Sequence, residues 1–194
     1  MNPPPFGTPL AAKLQTSSNR ELRRRLLAGH PVDPSAIEGW AYRGTSIGLP
    51  GFIECLTWKT FQKTFWRDPL TGRLLGWNVR LEQDGPAHPA GAPSRPRMKG
   101  DRPLCCWHYE VIEPRGVAMP AGFDRGLIID YGRGHAPTLD MRFIKDPLVA
   151  VEPGNNDLLL GVSYAVVLGA CIVTPTWFTL EREHPVAFVP PELL

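Results

Sequence analysis

The sequence predicts a mainly β fold, an antiparallel barrel or sandwich preceded by a short N-terminal helix. Roughly seven to nine segments alternate apolar and polar residues, with turn residues between them, as in all-β domains of this kind. The 22 prolines and 19 glycines favour a chain interrupted by turns over a helical bundle. A long uncharged run, residues 158–180, supplies the third observation.

This uncharged run has two interpretations. A membrane helix needs about 20 apolar residues, and the run is long enough. Its glycines, threonines and proline dilute it, however, and its many β-branched residues prefer strands. No cluster of Lys or Arg flanks it. We therefore expect a hairpin of strands 158–167 and 171–182 that reverses at 168–170, and a membrane helix is the less favoured alternative.

Composition limits the class of protein. The chain of 194 residues is 43% hydrophobic and 21% charged, which is typical of one globular domain. A net charge of +2 gives no electrostatic case for binding nucleic acid. Nucleotide and phosphate motifs are missing, so we expect no cofactor. The N-terminus does not read as a secretory signal, and the four cysteines then indicate reduced thiols in a cytoplasm.

Residues 1–37 are interpreted as an N-terminal arm and a short helix. Ser18 and Glu21 form a capping-box pattern that opens the helix, and Gly29 closes it. Asp33 and Pro34 then mark the start of a single helical turn. The first 16 residues or so are expected to be disordered or ordered only on contact.

Residues 38–183 are assigned to the β domain, and residues 184–194 to a C-terminal tail. Within the domain, residues 83–103 are rich in Pro and Gly and are expected to form a mobile loop. The predicted elements are a strand at 40–46, a helix at 52–62 whose last residues could instead be a strand, strands at 73–82, 104–112, 126–131, 138–145 and 148–151, and the hairpin.

Particular residues of this domain resemble those of a known family. Trp40 and Gly44 in the first strand, together with the closing GNNDLLLGVSY and TPTWFTLERE, resemble lipocalin-like (calycin) barrels. They are similar in particular to small bacterial barrels of unassigned function. The resemblance covers residues 38–183 in outline, and it implies a barrel with an interior cavity for a small apolar molecule.

The candidate ligand-binding residues are mostly large aromatic side chains of the predicted strands, with a polar anchor among them. Apolar burial would dominate binding of a small hydrophobic ligand. These residues are Trp77, Trp107, Tyr109, Arg142, Phe143, Trp177 and Phe178.

Polar residues within apolar strands are candidates for catalysis, although a structural role is favoured. Asp130, Tyr131, Arg142 and Tyr164 are of this kind. An Asp130–Arg142 ion pair between neighbouring strands would satisfy both groups structurally, and in a cavity the same pair with Tyr164 could orient a carbonyl or carboxylate.

A second polar set lies on one face of the strand at 104–112. His108 shares this face with Cys106 and Glu110, and with Cys171 they could form a metal site or a nucleophile–base pair. The ligand spacing does not support zinc, so we predict a half-exposed face and no metal. The candidate catalytic residues are thus Asp130, Tyr164 and His108.

Three functional hypotheses remain at this point. The first is binding of a small hydrophobic molecule in the barrel. The second is a cofactor-free cyclase or isomerase that acts on an apolar substrate in the same cavity. The third is a protein-interaction module that uses the Pro-rich loop and an edge strand. The oligomeric state is not predicted.

Overall fold

The computed structural model of the chain describes residues 7–48, 59–82, 93–139 and 141–194, which form three helices, ten strands and two 3-10 turns. The helices are α1 (Pro9–Gln15), α2 (Asn19–Leu27) and α3 (Pro34–Ile37). The strands are β1 (Trp40–Ile47), β2 (Thr60–Arg67), β3 (Leu74–Arg80), β4 (Met98–Lys99), β5 (Arg102–Pro103), β6 (Cys105–Ile112), β7 (Leu127–Asp130), β8 (Ile144–Glu152), β9 (Asn155–Val167) and β10 (Ala170–Pro185).

Eight of these strands close into an antiparallel barrel in the order β1-β10-β9-β8-β7-β6-β3-β2. Every barrel strand pairs with the next barrel strand in the chain, and β1 pairs with β10 to close the ring. The small β4–β5 hairpin is the exception and forms a separate two-stranded sheet. The barrel prediction is therefore confirmed, and the architecture agrees with the lipocalin-like barrel that the resemblance implies.

The long uncharged run forms a hairpin, as predicted. Strands β9 and β10 pair from Ala170 opposite Val167 to Glu181 opposite Leu158. The reversal uses Leu168 and Gly169, both with positive φ. Among the residues that the structure describes, no helix has the length and apolar character needed to cross a membrane.

Two apolar clusters lie on opposite faces of the barrel wall. One cluster lies in the interior and includes Tyr42, Phe65 and Leu180. The other lies outside, where α1 and α2 cover β8, β9 and β10. Strands β9 and β10 are apolar over long stretches because both of their faces are buried.

Residues 9–15, expected to be either disordered or ordered only on contact, form helix α1 packed against the barrel. The Thr8 hydroxyl caps this helix by accepting from the Ala11 amide at 3.2 Å, and Pro9 occupies its first turn. Ala11 and Leu14 are fully buried against the barrel. Burial of this apolar face, rather than intrinsic propensity, stabilises so short a helix.

Two other expectations require correction. The strand predicted at 138–145 begins only at Ile144, because the residues before it bond locally: Thr138 accepts from the amides of Met141 and Arg142. The end of the helix predicted at 52–62 is strand, because β2 begins at Thr60. The rest of that predicted helix lies outside the described residues.

Three glycines on the interior face lie opposite aromatic residues of the neighbouring strand. The pairs are Gly44 with Phe61, Gly76 with Tyr109 and Gly161 with Phe178. A Cβ atom at these glycines would lie 2.2 Å, 2.3 Å and 2.4 Å from the respective rings. Each ring therefore lies directly against backbone, a position that only glycine leaves free.

Candidate functional site

The interior of the barrel contains a cavity of about 230 Å³, somewhat smaller than the about 300–1,000 Å³ of typical ligand sites. Apolar atoms dominate its wall, and polar side chains gather on one part of it. The lining residues are Ser46, Phe61, Lys63, Asn78, Trp107, Tyr131, Met141, Ile144, Asp146, Ser163, Thr174, Thr176 and Phe178.

Lys63 is the unexpected member of this lining. On β2 the residues Phe61, Lys63 and Phe65 share the interior face, because side chains alternate along a strand. Lys63 is only 2% exposed. Its ammonium group donates to Asn78 Oδ1 at 3.1 Å and to the hydroxyl of Tyr131.

Asp146 on β8 provides the negative charge for this lysine. Its Oδ2 lies 3.4 Å from Lys63 Nζ and accepts a hydrogen bond from the Tyr131 hydroxyl at 2.9 Å. Its Oδ1 accepts from Ser163 Oγ at 2.8 Å. We call Lys63, Asn78, Tyr131, Asp146 and Ser163 the polar cluster, and within it both charges have hydrogen-bonding partners, as buried charges require.

Aromatic rings surround the lysine on its other sides. The centroids of Phe61, Tyr109, Tyr131 and Phe178 lie 4.9–5.5 Å from Lys63 Nζ. These rings favour a cation, but burial disfavours one more strongly and lowers the pKa of Lys63, with Asp146 opposing the shift. Burial also raises the pKa of Tyr131 well above its usual value, so its hydroxyl keeps its proton.

A backbone irregularity places Trp107 in the cavity wall. Between Gly76 and Asn78 the register of β3 against β6 shifts by one residue, which is the signature of a β-bulge. Trp107 lies in this bulge with φ 49°, a left-handed conformation that is rare for a bulky residue. Backbone strain of this kind collects at ligand sites more often than elsewhere in a fold.

Three of the seven predicted ligand-binding residues face the interior. Trp107 and Phe178 line the cavity. Tyr109 belongs to the interior cluster and lies behind the cavity wall, where its hydroxyl donates to the Thr64 carbonyl at 2.8 Å.

The other four predicted ligand-binding residues lie outside the cavity. Trp77 faces outward into a groove beside His184 and Phe188 of the C-terminal segment. Trp177 belongs to the outer cluster beneath the helices. Arg142 and Phe143 are exposed and stack on each other, with 5.0 Å between the guanidinium and the ring.

The three predicted catalytic residues do not line the cavity either. Asp130 lies between the inward-facing Ile129 and Tyr131 along the chain, so its own side chain faces outward. It forms ion pairs with Lys145 and Arg133 rather than with Arg142 as predicted. The Tyr164 hydroxyl donates to the Ala118 carbonyl at 3.0 Å, on the outer side of β9.

His108 likewise faces outward, 3.3 Å from Glu192. Burial lowers the pKa of His108, while Glu192 opposes that shift. Its strand neighbour Glu110 binds Arg73 at the surface, and the described residues contain no cluster of metal-binding side chains.

Most residues of the polar cluster are absent from the predicted site residues, although the sequence carries a signal for two of them, Lys63 and Asp146. Lys63 lies between Phe61 and Phe65 at the spacing of one strand face, and Asp146 lies likewise between Ile144 and Leu148. A charged residue within an apolar strand face indicates a buried charge that needs a partner. The sequence predicts Tyr131 as a polar residue in an apolar strand but does not indicate that it links the two charges.

Comparison with known proteins adds no assignment. No protein-family model matches the chain, and no curated protein is significantly similar to it. The function is therefore inferred from the chemistry of the cavity.

Proposed function

We propose that this protein binds a small, mainly apolar molecule in the barrel cavity, and that a neutral polar group of the ligand faces the polar cluster. One observation carries the proposal: an apolar-walled cavity of about 230 Å³ ends on a buried, hydrogen-bonded set of polar side chains. Apolar walls with a few convergent polar groups are typical of small-molecule sites.

The charges of the cluster favour a neutral ligand. The ammonium group of Lys63 donates to Asn78 and Tyr131 and forms an ion pair with Asp146 at 3.4 Å. Asp146 in turn accepts from Tyr131 and Ser163. The protein thus compensates both charges itself, and a charged ligand would bring an additional charge into a desolvated site. An alcohol, aldehyde or ketone brings none.

Filling the cavity tests the proposal. Ile144→Trp places a larger side chain in the cavity wall, whereas Ile172→Trp makes the same change at a position that is 56% exposed on the β9–β10 hairpin. We expect Ile144→Trp to weaken binding of 3-phenylpropan-1-ol by at least about tenfold, equivalent to about 1.4 kcal/mol. Ile172→Trp should bind like the unmodified protein.

Calorimetric titration measures both affinities, and circular dichroism confirms that both variants fold. Equal binding by the two variants would place the ligand outside the cavity and contradict the proposal. Native mass spectrometry of the freshly purified protein supplies an independent measurement, because a bound molecule appears as excess mass that denaturation removes.

A cofactor-free isomerase or cyclase is the second candidate. The observation in its favour is the chain of hydrogen bonds from Lys63 through Tyr131 to Asp146, which adjoins an apolar cavity and can relay a proton. We expect such an enzyme to exchange the α-protons of 4-phenylbutan-2-one for deuterium, measured by NMR in D₂O. Tyr131→Phe should abolish this exchange but leave binding of the ketone nearly unchanged.

The interaction hypothesis remains a prediction. Residues 83–92 of the Pro-rich segment lie outside the described residues, and residues 98–103 form the β4–β5 hairpin. The cytoplasmic location is likewise kept as a proposal, and free thiols at Cys105, Cys106 and Cys171 are in keeping with it.

A further inference from the structure

We propose that Lys63 is a covalent binding residue, whose amine condenses with the carbonyl group of a small apolar aldehyde in the cavity to form an imine. This inference rests on the proposed function and specifies the chemical class of its ligand. It follows from the position of the amine, from its surroundings and from the groups that can move protons beside it.

The position of Lys63 satisfies the first requirement, which is contact between the amine and the ligand. Of the described residues that line the cavity, Lys63 alone carries an amine. The side chain is 2% exposed, so a carbonyl compound reaches it from the cavity rather than from the outer surface. A molecule with apolar bulk against Phe61, Ile144 and Phe178 lies next to Nζ.

The surroundings give Lys63 a larger fraction of neutral amine, the nucleophilic form, than an exposed lysine has. Burial lowers the pKa of Lys63, and desolvated lysines are the ones that form imines with carbonyl compounds. Asp146 lies 3.4 Å from Nζ and is a base within reach of the ammonium proton. The apolar wall also keeps water scarce, which slows hydrolysis of the imine.

The step balances without a cofactor. The lone pair of Nζ attacks the carbonyl carbon and forms a carbinolamine. The carbonyl oxygen then leaves as water with two protons that Nζ has lost, and a C=N bond remains. The Tyr131 hydroxyl accepts a hydrogen bond from Nζ and donates one to Asp146. It can therefore carry a proton from the amine to the departing oxygen. No electrons are gained or lost.

Reductive trapping tests the inference. The folded protein is incubated near neutral pH with 3-phenylpropanal and cyanoborohydride, which reduces imines to stable amines. We expect one adduct with the mass of the aldehyde less one oxygen atom, which peptide mapping places on Lys63. Lys63 should react at least about tenfold faster than the exposed Lys13 and Lys99, because each unit by which a pKa falls raises the neutral fraction tenfold.

Matched variants and a matched competitor complete the design. Lys99→Arg should leave the adduct unchanged, whereas Lys63→Met combined with Asp146→Asn should abolish it. The alcohol 3-phenylpropan-1-ol has the same skeleton but cannot form an imine. It should protect Lys63 from reaction while leaving Lys99 unprotected.

The outcomes separate the inference from the proposed function. If the alcohol binds but Lys63 reacts no faster than Lys99, the imine is excluded and the binding function stands. If the alcohol does not bind and Lys63 does not react, both fail for this class of ligand. If Lys63 reacts but the alcohol does not protect it, the reaction occurs outside a formed cavity, and the inference is overturned.

Discussion

Lys63 and Asp146 form an ion pair inside the barrel, and burying these two charges has a large free-energy cost. Each is about 2% exposed, and each charge removed from water costs several kcal/mol before its partners compensate it. An apolar pair of similar volume would often be at least as stable. A costly pair at the wall of a cavity is therefore more readily explained by function than by stability.

Removing only one partner of this pair should be far more damaging than removing both. We expect Lys63→Met to destabilise the protein by about 3–5 kcal/mol, because Asp146 is then left as an unpaired buried charge. The variant with both Lys63→Met and Asp146→Asn should recover most of that loss. Urea unfolding at neutral pH measures the three stabilities, and equal loss in the single and double variants would contradict the pairing.

The lowered pKa of Lys63 predicts how stability depends on pH. The unfolded chain holds this proton up to the ordinary value of 10.5, whereas the folded protein releases it at lower pH. Between the two values the unfolded state binds more protons, so stability rises with pH, by at most about 1.4 kcal/mol per pH unit. Below the folded pKa this dependence disappears.

Other titrating groups face Lys63, so the comparison uses a variant. Asp146, Tyr109, Tyr131 and Cys106 interact with the lysine or face it. The buried tyrosines have raised pKa values and act in the opposite sense, because they make stability fall above about pH 10. As the pH rises to about 9.5, unmodified protein should therefore gain stability relative to the Lys63→Met, Asp146→Asn variant, beginning at the pH where the folded protein releases the Lys63 proton. A constant difference up to about pH 9.5 would show that Lys63 keeps its proton.

At the scale of the element, helix α1 closes the outer cluster on the barrel. Leu14 is fully buried there, and Trp177 of β10 belongs to the same cluster. We expect Leu14→Ala to cost about 2–5 kcal/mol in the free energy of unfolding, through lost burial and a new void. Leu139→Ala is the control, because Leu139 is 77% exposed and should change stability by less than about 0.5 kcal/mol. Similar losses in both variants would show that α1 packs only loosely.

The strands also show which features the sequence could predict. Alternation along β6 indicated that Trp107 and Tyr109 face the interior, and the uncharged run indicated the β9–β10 hairpin. Alternation failed on β3, where the apolar Trp77 faces outward and Asn78 faces inward. The outer side of β3 is covered by the C-terminal segment, so the more apolar face is not the interior face.

At the scale of the whole molecule, the barrel can be predicted from the sequence, but the contacts between its buried polar residues cannot. Strand number and turn spacing indicate closed β architecture because edges must be covered. The meeting of Lys63, Tyr131 and Asp146 depends on the registers of β2, β7 and β8 in a closed ring. Register is set by bulges and long-range pairing, which a single sequence does not reveal.

Ring closure has a consequence for folding. Strand β1 pairs with β10, so Trp40 lies opposite Pro185 and almost the whole β domain separates the two partners. The barrel is closed only when this pairing has formed. Folding dominated by such distant contacts occurs in about milliseconds to seconds rather than microseconds.

The glycines opposite Phe61 and Phe178 allow these two rings to lie against the backbone, and this close contact sets part of the cavity's size. Both rings line the cavity, and a methyl group at Gly44 or Gly161 would push the facing ring away from the wall. Relatives of this barrel with alanine at either position should therefore prefer shorter or slimmer molecules while the polar cluster stays the same. Under the proposed function, replacing one of these glycines by alanine would change ligand selectivity without changing any residue of the polar cluster.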